Sequence, residues 1–291
     1  MKKFGLVALA GRPNAGKSTF LNRVVGEKIA IVSDRPQTTR NRILGITMQG
    51  ETQIGFLDLP GIHKPAHKLN SRMMGMVHQG VEEADVVIHF ADATQPIGKG
   101  DRFVAELLKE KNIPVILALN KIDLINKNRM IGILDAWFQA FQPQELVPIS
   151  CLEGTNIDRL MELLSRMLPE QPWRFGEDEL TDQSIRFIAQ ELIREKIVRY
   201  TDEEVPHATA VTITQFNEGN EEEPWFIEAT IWVEKKTQRM ILLGANGSMI
   251  SKIRTGAKRN LKQFLGRAGE LELLVKVREH WREDKAFLES L

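Results

Sequence analysis

The sequence predicts a chain of two parts: an α/β unit with a mostly parallel sheet, then a smaller α+β unit. Three observations predict it. Short apolar runs alternate with helical stretches up to residue 169, the pattern of strands joined by helical crossovers. Pro169-Glu170-Gln171-Pro172 and an acidic stretch to about Asp182 then interrupt the alternation. Beyond them the pattern becomes one helix, two alternating strands, two helices and a last strand. The expected bounds are residues 1–169 for the first domain, 170–183 for a linker and 184–291 for the second domain.

In the first domain, Gly5 to Ala10 reads as a buried strand and Ser18 to Val25 as the helix after it. Between them Gly11-Arg12-Pro13-Asn14-Ala15-Gly16-Lys17-Ser18 spells GxxxxGK[ST]. Glycines at 11 and 16 let the backbone curl, so that N–H groups from Asn14 to Thr19 face inward. With the positive end of the new helix they form a nest for phosphate. Lys17 can reach the β- and γ-phosphates, and the Ser18 hydroxyl can ligate Mg²⁺. A second apolar run, Ile54 to Leu57, ends at Asp58-Leu59-Pro60-Gly61. An acidic residue at such a strand end holds the metal in P-loop enzymes, and Gly61 can turn its N–H toward the γ-phosphate. Alone, this tetrapeptide is an ordinary turn.

A third run, Ile113 to Leu119, delivers Asn120, Lys121 and Asp123 to the same sheet edge. A carboxylate at 123 can accept both the ring N–H and the exocyclic amine of guanine. Adenine lacks that pair of donors and would leave the carboxylate desolvated and unpaired. Lys121 would lie along the base and Asn120 would tie loops together. Ser150-Cys151, after Leu146 to Ile149, stands where another strand end can offer backbone N–H groups to the base. Ile43 to Met48 and Asp85 to Ala91 complete a sheet of about six strands, with the ligand beyond their carboxyl ends.

In the second domain Ile185, Ile188, Ala189, Leu192 and Ile193 share one helical face. Val211 and Ile213, then Ile227, Ala229, Ile231 and Val233, alternate as strands, with Glu221-Glu222-Glu223-Pro224 at a hairpin tip. A short helix to Leu243, the turn Gly244-Ala245-Asn246-Gly247, a helix through Phe264, a strand from Leu271 to Val277 and a charged tail helix follow. The order α-β-β-α-α-β matches the type II KH fold, which uses GxxG to approach an RNA backbone. Gly266 to Gly269 is a second GxxG, but it sits between a helix and a strand. The first lies within residues 235–267, which hold nine Lys/Arg and no Asp/Glu. Lys252, Arg254, Lys258 and Arg259 follow it, placed to meet phosphates of single-stranded RNA.

The succession GRPNAGKS, PQTTR, DLPG, NKID and SC resembles a translation-factor-class GTPase of the branch that includes Era. Era-type proteins also end in an RNA-binding KH domain, so the resemblance runs the whole length. It implies a GTPase, binding GTP and GDP, that acts in maturation of the small ribosomal subunit and recognises the 3′ end of its rRNA, with the 30S particle as partner. The basic surface leaves peripheral contact with a membrane open, and a monomer is expected. The resemblance gives Lys17 the phosphate role and Ser18, Asp58 and Thr39 the Mg²⁺ roles. Thr38 competes with Thr39 for the switch position; the sequence does not separate neighbours. The switch residues are then Thr38, Thr39, Asp58, Leu59, Pro60, Gly61 and Ile62. Ala15, Leu59 and Cys151 depart from the usual Val, Thr and Ala, all without charge. Ile62 stands where Ras-type GTPases put a water-orienting glutamine, so slow intrinsic turnover is expected. In related GTPases an asparagine at the position of Asn14 helps bind K⁺, which would supply charge beside the phosphates.

The single cysteine, Cys151, rules out an intramolecular disulfide and predicts a reducing, cytoplasmic compartment. The chain opens with Met1-Lys2-Lys3 and runs into a strand, so no signal peptide is expected, and no apolar run is long enough to span a membrane. The six histidines show no ligand spacing; His63, after Ile62, reads as a loop residue. Two rival functions remain at this point: a P-loop ATPase or kinase, which NKID opposes, and an RNA chaperone whose nucleotide site is only a scaffold.

Overall fold

The structure, a computed structural model, describes residues 2–33, 35, 38–62, 68–220 and 223–291. Asp34 of the expected switch region, Pro36 and Gln37 of PQTTR, His63, and Glu221 and Glu222 of the hairpin tip lie outside the described residues. The chain divides into two compact units. The first comprises Met1–Ala30, Thr39–Pro65 and Arg72–Asp182, the second Ile31–Thr38, Ala66–Ser71 and Gln183–Leu291.

In chain order the first part holds β1 (Lys3–Gly11), α1 (Lys17–Val25), β2 (Ile43–Gln49), β3 (Thr52–Asp58), α2 (Lys68–Glu82), β4 (Val86–Asp92), α3 (Lys99–Lys109), β5 (Val115–Asn120), α4 (Lys127–Phe141), β6 (Glu145–Pro148) and α5 (Ile157–Met167). The sheet runs β2-β3-β1-β4-β5-β6, with β2 antiparallel to β3 and every other pair parallel. Strands covered by helices on both faces must be apolar throughout, and β1, β3 and β4 are buried along nearly their whole length. Register does the positioning: Leu9 pairs with Asp58, Gly11 with Phe90 and Asp92 with Asn120, so the strand ends that carry chemistry meet at one edge. Phe20 of α1 packs edge-on against Phe56 of β3 and, tilted, against Phe90 of β4, each with centroids 5.3 Å apart. That cluster seats α1 over the strands flanking β1.

The sequence reads residues 170–183 as an acidic linker, and residues 170–182 cluster with the first unit. The reason is hydrogen bonding. Buried Gln53 accepts from the N–H groups of Arg174 and Phe175, both at 3.0 Å, and donates to the Phe175 carbonyl at 2.9 Å. Farther on, the Ile46 N–H donates to the Leu180 carbonyl and Thr181 Oγ1 to the Leu44 carbonyl. A Pro-punctuated, acidic segment thus satisfies its backbone along β2 and β3.

The second unit contains α6 (Ile185–Tyr200), β7 (Ala210–Asn217), β8 (Trp225–Val233), α7 (Lys236–Leu243), α8 (Ser248–Leu265), β9 (Gly269–Val277) and a short α9 (Lys285–Glu289). Its sheet is β7-β8-β9, antiparallel then parallel. Instead of one apolar face, α6 buries Glu191, Arg194, Glu195 and Lys196 along with its aliphatics. They are tolerated because they pair within the helix: Arg194 with Glu191 at 2.6 Å and Lys196 with Glu195 at 2.9 Å. Arg194 also donates to the carbonyl of Thr38, in the segment 31–38 of the same unit. The charged tail forms a 3-10 turn and the five-residue α9; Trp281 is fully buried and donates to the Ala208 carbonyl at 3.0 Å. Among the described residues no helix is long and apolar enough to cross a membrane.

His89, in the middle of β4, is buried, its Nε2 has no partner among the described residues, and its ring meets Phe141 edge-on. Burial pushes its pKa down to about 4, opposed by Asp101 and assisted by Lys17. An unfolded chain takes up that proton near 6.5, the folded one only near 4, so stability falls as pH drops through this window. Urea unfolding should show wild type losing about 2 kcal/mol more than His89→Leu between pH 7 and pH 5. Equal losses in the two proteins would refute this linkage.

Candidate functional site

β1 hands the chain to α1 through a loop that passes through left-handed backbone at Asn14 (φ 64°) and Gly16 (φ 102°). Only glycine fits at 16: a Cβ there would lie 2.1 Å from Asn120 Nδ2. Lys17 is 5% exposed and donates to the carbonyls of Arg12 at 3.1 Å and Gly11 at 3.4 Å. Burial lowers its pKa, and the Asp58 carboxylate partly restores it. Ala15 is buried beneath the loop, and Thr19 sits in the first turn of α1.

At the end of β3, Asp58 is fully buried and accepts from Ser18 Oγ at 2.6 Å. Ser18 Oγ lies 3.0 Å from Thr39 Oγ1. Asp58 Oδ1 has no partner among the described residues, and burial pushes the carboxyl up to about 6 against the pull of Lys17, Ser18 and Thr39. Two hydroxyls and a carboxylate whose second oxygen is orphaned form a hard-oxygen donor set that could hold Mg²⁺, an ion that pairs one or two carboxylates with substrate phosphates. Among the described residues no cluster of three His, Cys, Asp or Glu offers a cage made of protein alone. The neighbours left open by the sequence are separated here. Thr39 joins this cluster, whereas the Thr38 hydroxyl donates to the Arg35 carbonyl at 2.6 Å.

On the base side, Asn120 is 3% exposed and spans two loops. Its Nδ2 donates to the Ala15 carbonyl at 2.9 Å, and its Oδ1 accepts from the Cys151 N–H at 2.9 Å. The Cys151 N–H, expected to face a base, is therefore committed to Asn120. Ser150 supplies its hydroxyl instead, donating to Asp123 Oδ1 at 2.5 Å and accepting from the Glu153 N–H at 3.0 Å. Asp123 is exposed in a 3-10 turn entered through Lys121 at φ 68°. The Cys151 thiol is buried and pushed up to about 12, so it stays protonated.

Leu59 and Ile62 are core residues, 0% and 2% exposed, packed with Ala8, Ala10 and Val77. Pro60 and Gly61 between them are buried too. The Ile62 N–H donates to the Gly11 carbonyl at 3.0 Å, pinning this turn to the phosphate loop.

Sequence reasoning missed three residues. Asp92 accepts from Lys121 Nζ at 2.7 Å; burial raises its pKa, but the bonds from Lys121 and Thr94 outweigh it and leave it low. An aspartate closing the strand in register with Asn120 was the available signal. Arg12 pairs with buried Asp101 at 3.0 Å, fastening the phosphate loop to α3. Arg23, in the last turn of α1, donates Nε–H to the Cys151 carbonyl at 2.6 Å and a second N–H to the Leu152 carbonyl. Nothing in the sequence flags these last two.

In the second unit, Gly244 (φ 69°, ψ 171°), Asn246 (φ 49°) and Gly247 (φ 76°) make a tight turn, with Ala245 starting its 3-10 segment. Gly244 occupies backbone that only glycine adopts freely. Gly247 opens α8 with no side-chain cap and nothing within 4 Å of where its Cβ would stand, while the Ser248 N–H that starts the helix donates to the Ala245 carbonyl. Lys252 lies over the Tyr200 ring at 4.7 Å. Arg254 and Arg259 are exposed and make no ion pair among the described residues, whereas Lys258 pairs with Glu270 at 2.9 Å. The other GxxG is structural: Gly266 caps α8, and a Cβ on Gly269 would lie 2.0 Å from the Trp225 ring. Exposed Met240 and Ile241 precede the turn, on a helix that packs on β9 with exposed Leu274.

Comparison with known proteins covers both units. The family described as 50S ribosome-binding GTPase matches residues 6–121, and the KH domain matches residues 204–282. The GTPase Era of Lactobacillus helveticus (strain DPC 4571) is 43% identical over 289 residues, 99% of this chain and 95% of the relative. A crystal structure of Era with MgGDPNP and nucleotides 1506–1542 of 16S ribosomal RNA superposes with a TM-score of 0.95 at 36% identity, covering 100% of this chain and 98% of that one. A variant of Aquifex aeolicus Era bound to GDP and AlF4⁻ gives 0.94 at 36% identity, covering 99% and 98%. With a GTPase domain, a KH domain and full-length likeness to Era, the chain belongs to the Era family of GTPases.

Proposed function

We propose that this chain is a GTP-hydrolysing switch that takes GTP and GDP in its first unit and small-subunit ribosomal RNA, near the 3′ end, in its second. Its work would be assembly of the small ribosomal subunit in the cytoplasm, on the 30S particle. The observation that carries the nucleotide half is the Asn120–Ser150–Asp123 arrangement beside a phosphate loop. Asp123, held by the Ser150 hydroxyl, has a second carboxylate oxygen for the guanine donors. The RNA half is supported by the uncapped helix at Gly247, the free cations Arg254 and Arg259, and the RNA bound by the related Era structure. Exposed Ile241 and Leu274 offer apolar contact to bases where aromatic platforms are scarce.

Mg²⁺, when bound, would supply positive charge that offsets the charge of the phosphates. Ser18, Thr39 and Asp58 are the residues that would hold it. Lys17 reaches the phosphates from the loop, and Leu59 and Ile62 exclude water from the floor beneath them. Thr39 can join this cluster only while the segment before β2 is drawn in, so loss of the γ-phosphate would release it. Buried Ile62 has no polar group to orient water, hence slow unaided turnover. A monovalent cation beside Asn14 supplies the missing charge in this reading.

Asp123→Asn should weaken GTP binding about 100-fold, as two charge-assisted hydrogen bonds are lost, and admit xanthosine triphosphate, measured by fluorescence competition. Unchanged GTP affinity, or equal affinity of wild type for ATP, would defeat the guanine assignment. Phosphate release should run faster in KCl than in NaCl at equal ionic strength; equal rates would remove Asn14 from the mechanism. RNA affinity should fall steeply with salt, and Arg254→Ala or Arg259→Ala should each flatten the log–log slope by about 0.7. Lys258→Ala should flatten it less, because Glu270 already neutralises that charge.

A further inference from the structure

The outer half of the base loop has little to hold it. Leu152 is 67% exposed and Glu153 is exposed as well. Inside the loop, Ser150 N–H donates to the Thr155 carbonyl at 3.1 Å and Gly154 N–H to the Ser150 carbonyl at 2.8 Å. Its outward products are the Ser150 hydroxyl on Asp123 and the Cys151 N–H on Asn120. Beyond the bond to Asn120, Arg23 holds the outer part of the loop from outside. The guanidinium takes two consecutive carbonyls, Cys151 and Leu152, from the last turn of α1. The loop is shaped to receive it: a Cβ on Gly154 would lie 2.8 Å from Arg23 Nη1. α1 also begins with Lys17 and Ser18, so one rigid helix carries the phosphate groups at its start and the clamp on the base loop at its end.

We propose that Arg23 is a positioning residue for guanine. By clamping the Cys151–Leu152 carbonyls it fixes Ser150, and through Ser150 the rotamer of Asp123, so it sets guanine affinity and selectivity without touching the nucleotide. A planar fork suits two adjacent carbonyls in a way that a lysine ammonium does not. This rests on the guanine reading of Asp123 given above.

The test uses the full chain with Arg23→Ala, Arg23→Lys and Asp123→Asn, and measures dissociation constants for GDP, GTP and inosine diphosphate together with kcat and KM. Inosine lacks the exocyclic amine that Asp123 accepts, so the GDP-to-inosine-diphosphate ratio reports on Asp123 alignment. Arg23→Ala should weaken GDP and GTP by the same factor, about 10-fold, with faster release. The GDP-to-inosine-diphosphate preference should narrow, and the loss should fall on KM, with kcat dropping no more than about twofold. Arg23→Lys should recover part of the affinity. If Asp123→Asn leaves GDP binding intact, the guanine reading itself fails. If Asp123→Asn weakens binding but Arg23→Ala leaves both affinity and preference unchanged, or lowers kcat at constant KM, the Arg23 role is overturned. Should Arg23→Ala not fold, Arg23→Gln, which keeps the stem and one donor, is read by the same criteria.

Discussion

One buried side-chain amide holds the nucleotide site together. Asn120 spends its donor on the phosphate loop and its acceptor on the base loop, and both bonds are 2.9 Å and out of water. Leaving either partner unsatisfied in that setting costs a desolvated polar group, so two loops more than a hundred residues apart are locked to each other. The close approach of Asn120 also dictates glycine at 16, because any Cβ would displace the amide. Loop conformation and base loop are therefore one constraint rather than two.

The second constraint is charge in a place that excludes water. Lys17 and Asp58 are each buried, and each moderates the pKa shift that burial imposes on the other. Neither would be tolerable alone. The arrangement stays polar where phosphates and metal belong, with Ser18 and Thr39 turned to the carboxylate, and apolar beneath, where Leu59 and Ile62 join the core. Placing an isoleucine in the core after Gly61 gives a tight floor and gives up the side chain that elsewhere orients water.

The second unit solves the opposite problem, keeping polar groups open. α8 begins on Gly247 without a side-chain cap, and cations line its exposed face. Two GxxG sequences occur: Gly269 of one packs against buried Trp225, whereas Gly247 of the other starts a helix with nothing packed against it. Meanwhile α6 buries charges by pairing them internally, so the scaffold can be rigid beside a surface that remains free to bind.

Local pattern determined much of this protein. Strand and helix order, the phosphate loop, Asp58 and NKID were legible because each depends on residues adjacent in sequence, and register then carries strand ends to one edge. The bonding of the linker was not legible because its partners, Gln53, Leu44 and Ile46, are far away in sequence. For the same reason only the tertiary structure could separate Thr39 from Thr38, show Ile62 as core, commit the Cys151 N–H to Asn120, neutralise Lys258 with Glu270 and reveal the Arg23 clamp. A sequence states which groups can donate, accept or carry charge. Which of them are already spent on one another is decided by long-range packing.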